Sequence, residues 1–261
     1  MIRPEHCDLH THTDYSDGRG TLVDNVRAAE AAGLDAIAIA DHLFPPGDER
    51  FSDRERLRRR LEEVRQVRCW ANTRVVMAVE ATATDVCGGV SIGAQDLEGV
   101  ELSLVDVGPA TAGLAFGVPE GRDRQVDVVR RLYDRLAEQP LVDVLVHPFT
   151  LGRFGLDVTL EDIPDSWLQQ LGERLSASEV AFEINNGVWW WWPQFQPLQV
   201  AESYARVVAS LARGGARFVM GSDAHCNTGV GNLVWAQRVA SLAGLGQEHW
   251  ADVEALLMRR G

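Results

Sequence analysis

Seven short apolar runs recur along this chain, and each carries a histidine, aspartate or glutamate at or near its C-terminal end. They cover residues 7–12, 36–42, 75–81, 100–108, 143–149, 180–186 and 217–225. Each is short, rich in small and branched apolar residues, and reads as a strand. Between them lie stretches with helical spacing at 21–32, 52–68, 123–137, 165–176 and 198–213, with a last one at 248–259. Gly33 stands as the C-terminal stop of the first helix, and Ser52 with Glu55 as a capping box for the second. Strands separated by helices imply parallel pairing through right-handed crossovers. About seven such units without a linker predict a closed or nearly closed barrel spanning 1–261 as one domain. The alternative, an open doubly wound sheet, lacks its glycine-rich phosphate loop here.

In a barrel the C-terminal strand ends converge on one mouth, where catalytic groups gather. That rule brings distant residues together. His10 and His12 are two apart on the first strand and so share a face. His42 ends the second strand, Glu80 lies late in the third, and His147 late in the fifth; Asp223 and His225 end the seventh. Each alone has a plain reading: an accidental H-x-H, a core histidine before Pro148, a salt-bridged glutamate. Together they do not, because burying five imidazoles and several carboxylates without a cation would be costly. Imidazole and carboxylate suit zinc, manganese or iron.

The ordered segments DLHTHT, YSDG, IADH, VE, LVHPF, FEINN and GSDAH, running from residue 8 to 225, resemble the polymerase and histidinol phosphatase (PHP) family. The resemblance implies a distorted seven-stranded (β/α)7 TIM-like barrel holding two or three divalent metal ions, zinc, manganese or iron. It implies hydrolysis of phosphate esters by a metal-activated hydroxide. His10, His12, Glu80 and Asp223 would hold the first metal, and Glu80 would bridge to a second that also binds His147. Asp17, His42 and His225 would surround a third. Asp223 and His225 are the candidates to relay protons. Asp41 precedes a ligand and should point the other way. One departure stands out: family members carry a histidine at the end of strand four, where the register here puts Gly108. Asp106, two residues earlier on the same face, is the substitute this predicts.

Other residues have two readings. Glu183 and Asn185 point toward the mouth as ligands or as hydrogen-bonding partners of neighbouring loops. Arg19 and Arg153 are either an oxyanion clamp or ordinary surface arginines. The run Trp189–Trp192 cannot all bury on one face; core packing, a pocket wall and a subunit contact in a homo-oligomer remain open.

The formal net charge is -13, from 38 acidic against 25 basic residues. Such a surface disfavours long nucleic acid, whereas clustered metal ions would still admit a small phosphorylated metabolite. Cys7, Cys69, Cys87 and Cys226 form no C-x-x-C pair and read as reduced thiols of a cytoplasmic protein. No segment approaches the ~20 apolar residues of a membrane span. The expected function is thus phosphatase action on a small phosphomonoester. The alternatives are a nucleotide phosphodiesterase or nuclease of the same family, and a non-catalytic metal-bound protein.

Overall fold

Each apolar run pairs in parallel with the run that follows it. The computed structural model describes residues 2–48 and 50–260. Its strands are β1 (Cys7–Thr11), β2 (Ala36–Ile39), β3 (His42–Leu43), β4 (Arg74–Thr82), β5 (Leu102–Asp106), β6 (Val144–Leu145), β7 (Ala181–Asn185) and β8 (Phe218–Gly221). β2 and β3 are two halves of one barrel position, since Ile39 pairs with Met77 and His42 with Glu80 in the same register. Seven positions therefore run in order from β1 to β8. The end beyond β8 closes back on β1: the amide of Asp223 donates to His10 O and that of His12 to Ala224 O, both at 2.9 Å. This is the seven-stranded parallel barrel that the alternating pattern predicts.

The inward faces are small and apolar low in the barrel and ionisable at its mouth. Ala36, Ala38, Val76, Ala78, Leu102, Leu104, Val144, Ala181 and Val219 form one buried cluster with Val253, Leu256 and Leu257 of helix α7 (Val253–Met258). Period-two alternation then puts Glu80 above Ala78, Asp106 above Leu104 and Glu183 above Ala181. Helices α1 (Leu22–Ala31), α2 (Arg54–Arg68), α3 (Arg122–Ala137), α4 (Asp165–Ser178) and α5 (Pro197–Arg213) accompany the strands. On α3 the positions Val129, Leu132, Tyr133 and Leu136 follow the i, i+3, i+4, i+7 pattern and all are buried. Each such side chain contributes about 1.5–3 kcal/mol of apolar burial.

Local signals account for most boundaries and for three corrections. Thr21 caps α1 in a reciprocal box with Asp24, and Gly33 follows with φ +70. For α2 the cap is Asp53, not Ser52; its carboxylate accepts from the amides of Glu55 and Arg56, while the Ser52 hydroxyl donates to Asp48 O. A carboxylate reaching two orphan amides outcompetes a hydroxyl one residue earlier. Helix α6 (Val234–Leu242), nine residues after a Gly/Asn-rich stretch, is absent from the pattern reading. The stretch 248–259 splits into a short 3-10 turn, Gln247–His249, and α7. Among the described residues all four cysteines are free. No helix there is long and apolar enough to cross a membrane.

The expected strand 143–149 is the largest departure, because only Val144–Leu145 pair. His147 (φ +30) and Phe149 (φ +61) are left-handed, and Pro148 between them has no N–H for a ladder. Three buried groups hold this segment. Glu183 Oε2 accepts from the His147 amide at 2.6 Å, Tyr133 Oη accepts from the Phe149 amide at 2.7 Å, and Tyr204 Oη donates to Pro148 O at 3.1 Å. Tyr133→Phe should strand a buried N–H and cost about 1–3 kcal/mol, measured by chemical denaturation. Unchanged stability would show that the segment holds itself.

Candidate metal centre

β1 delivers His10 and His12 to the mouth completely buried, and Glu80 on β4 is 1% exposed. Their donor atoms converge with Asp223, which follows β8. His10 Nε2 and His12 Nε2 are 3.1 Å apart. Glu80 Oε2 lies 3.5 Å from the first and 3.4 Å from the second. Asp223 Oδ1 lies 3.6 Å and 3.2 Å from them. Donors bonded to one zinc-sized ion at about 2.0–2.1 Å sit about 3.3 Å apart at tetrahedral angles. Two imidazole nitrogens facing each other at this distance cannot both donate, whereas a shared cation satisfies both.

Around this core lie two further groups able to hold an ion: His10, Glu80 and His147, and His12, Asp17, His42 and His225. His147 Nε2 is 2.9 Å from Glu80 Oε1. His42 Nδ1 is 2.7 Å from Glu80 Oε2, yet neither atom makes an angularly acceptable hydrogen bond. A short separation without hydrogen-bond geometry again fits donors aimed at a common point. Asp17 Oδ1 meets His225 Nε2 at 3.2 Å and Asp17 Oδ2 meets His42 Nε2 at 3.5 Å. The residues present thus fit the divalent ions that the sequence leads one to expect.

Electrostatics agree with that fit. Burial pushes the His10 imidazole down, but Glu183, Asp223 and Glu80 outweigh it and hold its pKa well above the ordinary value. His42 is raised in the same way by Glu80 and Asp17. His225 rises to about 9 against its own burial, through Asp17 and Asp223. Burial alone would raise the carboxyls, yet the imidazoles hold Glu80, Asp223 and Asp17 below their usual range. The mouth is a carboxylate cluster that draws in positive charge.

A second layer aims these groups. Glu183 is not placed as a direct ligand: Oε1 lies 3.0 Å from His10 Nδ1, and Oε2 accepts from the His147 amide and Asn185 Nδ2. This is the carboxylate–histidine arrangement that turns the other nitrogen outward. Asp8, passed over in the sequence, is a buried carboxylate accepting from the Ser222 amide and hydroxyl and the Gly231 amide. It fastens β1 to the loop that carries Asp223. The only sequence signal for it is the acidic residue two before His10.

A cavity of about 460 Å³ opens over the cluster, lined by Asp17, His42, Glu80, His147, Asp223 and His225 and walled by Phe44, Phe51, Trp191 and Arg153. Arg153 donates to Val107 O and lies 3.4 Å from Asp106, with its guanidinium 4.8 Å from the Trp191 ring. Arg19 is exposed, does not line this cavity, and donates its amide to His225 O. Asp106 lines the cavity but joins none of the three groups. A Cβ on Gly108 would meet Asp106 Oδ2 at 2.4 Å, so that carboxylate fills the space a side chain at 108 would need. The four tryptophans do not share one environment: Trp192 is buried, Trp189 packs against the core, Trp191 walls the cavity and Trp190 is exposed.

A family model described as the PHP domain matches residues 8–108. Over this part the chain is similar to a PHP domain. The match carries His10, His12, Asp17, His42 and Glu80; His147, Asp223 and His225 lie beyond it and join the cluster through the fold. No curated protein sequence matches the chain. Among solved structures, the histidinol phosphate phosphatase of Lactococcus lactis subsp. lactis, complexed with zinc, L-histidinol and phosphate, is similar over 94% of this chain and 94% of its own. Its TM-score is 0.66 at 14% identity. A structure described with YwqE of Bacillus subtilis and CpsB of Streptococcus pneumoniae, metal-dependent tyrosine phosphatases, is similar over 98% of this chain and 95% of its own. There the TM-score is 0.54 at 18% identity. At these identities the likeness is one of fold.

Gly221, where β8 ends, tests the layered construction. A Cβ there would fall 2.0 Å from Glu183 Oε1 and 2.6 Å from His10 Cβ. Gly221→Ala should cost about 1–3 kcal/mol by overpacking and reduce bound metal, although alanine is no ligand. Normal metal content by elemental analysis would show that Glu183 and His10 shift without consequence.

Proposed function

We propose that this chain is a metal-dependent phosphoric ester hydrolase acting on a small phosphorylated metabolite. The carrying observation is the set of 3.1–3.6 Å donor separations among His10, His12, Glu80 and Asp223. The PHP domain match and the two phosphatases of like fold support phosphate ester hydrolysis as the reaction. His10, His12, Glu80 and Asp223 hold the first ion, Glu80 and His147 the second, and Asp17, His42 and His225 the third. Bound there, divalent ions lower the pKa of water and offset charge on phosphoryl oxygens.

The protein's own residues do the rest. Glu183 holds His10 by Nδ1, leaving Nε2 for the cluster. Arg153, fixed by Val107 O and Trp191, gives the cavity a guanidinium for a phosphoryl oxygen. His225 donates Nδ1–H to Asp223 O at 2.8 Å, which presents Nε2 to the third site beside Asp17. The two arginines lining the cavity, Arg50 and Arg153, each sit beside an aspartate, Asp48 and Asp106. That pairing and the net charge of -13 favour a compact ester over a nuclease's long polyanion.

An aryl phosphate assay with added manganese or zinc should give turnover that a chelator abolishes. His10→Ala and His12→Ala should each strip the first ion, lower the melting temperature by lost linkage and eliminate turnover. Unchanged metal content by elemental analysis in both variants would rule out the assignment.

The second site has the thinnest donor set, with Glu80 Oε1 and His147 Nε2 its own and Asp106 turned to Arg153. Zinc sites usually offer three or four protein donors, so dialysed wild-type protein should keep two ions and lose one, with activity returning on re-addition. Gly108→His alone should not restore retention, because its Cβ collides with Asp106; Asp106→Ala combined with Gly108→His should. Three ions per chain after dialysis of the wild type would refute this ranking of sites.

A further inference from the structure

The grouping of candidate donors leaves one ambiguity with chemical consequences: His12 belongs to two groups, that of His10 and Asp223 and that of Asp17, His42 and His225. Its Nε2 faces the first, while its Nδ1 lies 3.8 Å from Asp17 Oδ1. An imidazole could therefore bridge two ions or serve one.

The hydrogen-bond order around Nδ1 decides between these. Ser16 Oγ is 3.3 Å from His12 Nδ1 and donates its single proton to Asp41 Oδ1 at 2.8 Å. Asp41 can only accept, so Ser16 can only accept from His12. His12 Nδ1 therefore carries its proton, and the ring's lone pair is on Nε2. Asp41 is itself fixed on every side. It accepts from the Thr13 amide at 2.8 Å and hydroxyl at 2.7 Å. Arg60, a guanidinium only 2% exposed, stands with Nε 3.4 Å from Asp41 Oδ2, donates to Thr13 Oγ1, and lies 3.6 Å over the Tyr15 ring. A buried arginine in such a web holds a rigid carboxylate rather than a mobile one.

We propose that Asp41, locked by Arg60 and acting through Ser16, is a positioning residue that sets the His12 tautomer and commits His12 to the first ion alone. The third ion is then left with Asp17, His42 and His225. Asp41 governs that set too, since it precedes His42 in the chain and anchors the 13–16 turn leading to Asp17. The inference rests on the metal-centre reading above, and its test separates the two.

Metal-stripped wild-type protein is titrated with cobalt(II), followed by visible absorption. Ser16→Ala and Asp41→Asn should bind the tightest equivalent about 10-fold more weakly, as loss of an outer-shell partner does, with a changed ligand-field band. Ser16→Thr, which keeps the hydroxyl, should restore both. Should Asp41→Asn fail to fold, the Ser16 pair decides alone. Wild-type affinity and spectrum in Ser16→Ala would overturn the proposal, and tighter binding there would identify Nδ1 as a donor and overturn it equally. No cobalt uptake by wild type would overturn the metal centre itself.

Discussion

A carboxylate taken out of water loses several kcal/mol of hydration even after the protein relaxes, and Glu80, 1% exposed, has to regain that from its neighbours. His10, His12, His42 and His147 each place a ring nitrogen within 3.5 Å of its oxygens. Those imidazoles come from β1, β3 and the segment after β6, so one side chain draws together strands far apart in sequence. Glu80 can occupy that centre because β4 is the longest strand at nine residues and carries it above the apolar floor. The barrel and the cluster are in this sense one construction.

Much of this is legible in the sequence for a simple reason: the features involved are periodic or local. Period-two alternation predicts which face His10, His12 and Glu80 share, and the strand–helix alternation predicts the mouth where they meet. What escapes is set by tertiary contact. Pro148 signals that the ladder breaks nearby, but not that pairing already ends at Leu145; that depends on Tyr133, Tyr204 and Glu183, which hold a left-handed His147 and Phe149. Glu183 itself was readable as facing the mouth but not as standing behind His10, since parity gives a face and no depth. Asp106 is the same case. Its place on the inner face follows from alternation, whereas its turn toward Arg153 depends on a loop contact.

The two histidines of the H-x-H pair show how differently equal positions can be supported. His10 has a carboxylate directly behind it, Glu183 at 3.0 Å. His12 reaches its carboxylate only through a hydroxyl. The difference follows from where each ring sits. His10 faces β7 and β8, whose inward residues are fixed by the ladder. His12 lies past the last paired residue of β1, under the 13–18 turn, and only that turn can supply a partner. Gly18 lets the turn fold back so tightly, since a Cβ there would fall 2.7 Å from the His12 carbonyl and the Thr13 amide.

Helix α2 carries this logic outward. Its sequence, RERLRRRLEEVRQVR, reads as a solvated charged surface, and most of its arginines and glutamates are indeed exposed or half-buried. Arg54, half-buried, and Arg60, buried, nonetheless tie loops together. Arg54 donates to Phe44 O and Ser52 O on one side and to Ser91 O on the other. It thereby ties the segment bearing Phe44 and Phe51 to the strap after β4, with both rings against His42 at 4.9 and 5.3 Å. Arg60 grips Asp41 and the 13–16 turn. His42 is thus bracketed: aromatic rings held by one arginine cover it, and the residue before it is locked by another. Isolated surface ion pairs contribute little, but a guanidinium that spends several donors on carbonyls of separate loops fixes those loops relative to each other. A helix that looks idle by composition is what sets the position of the mouth's third histidine.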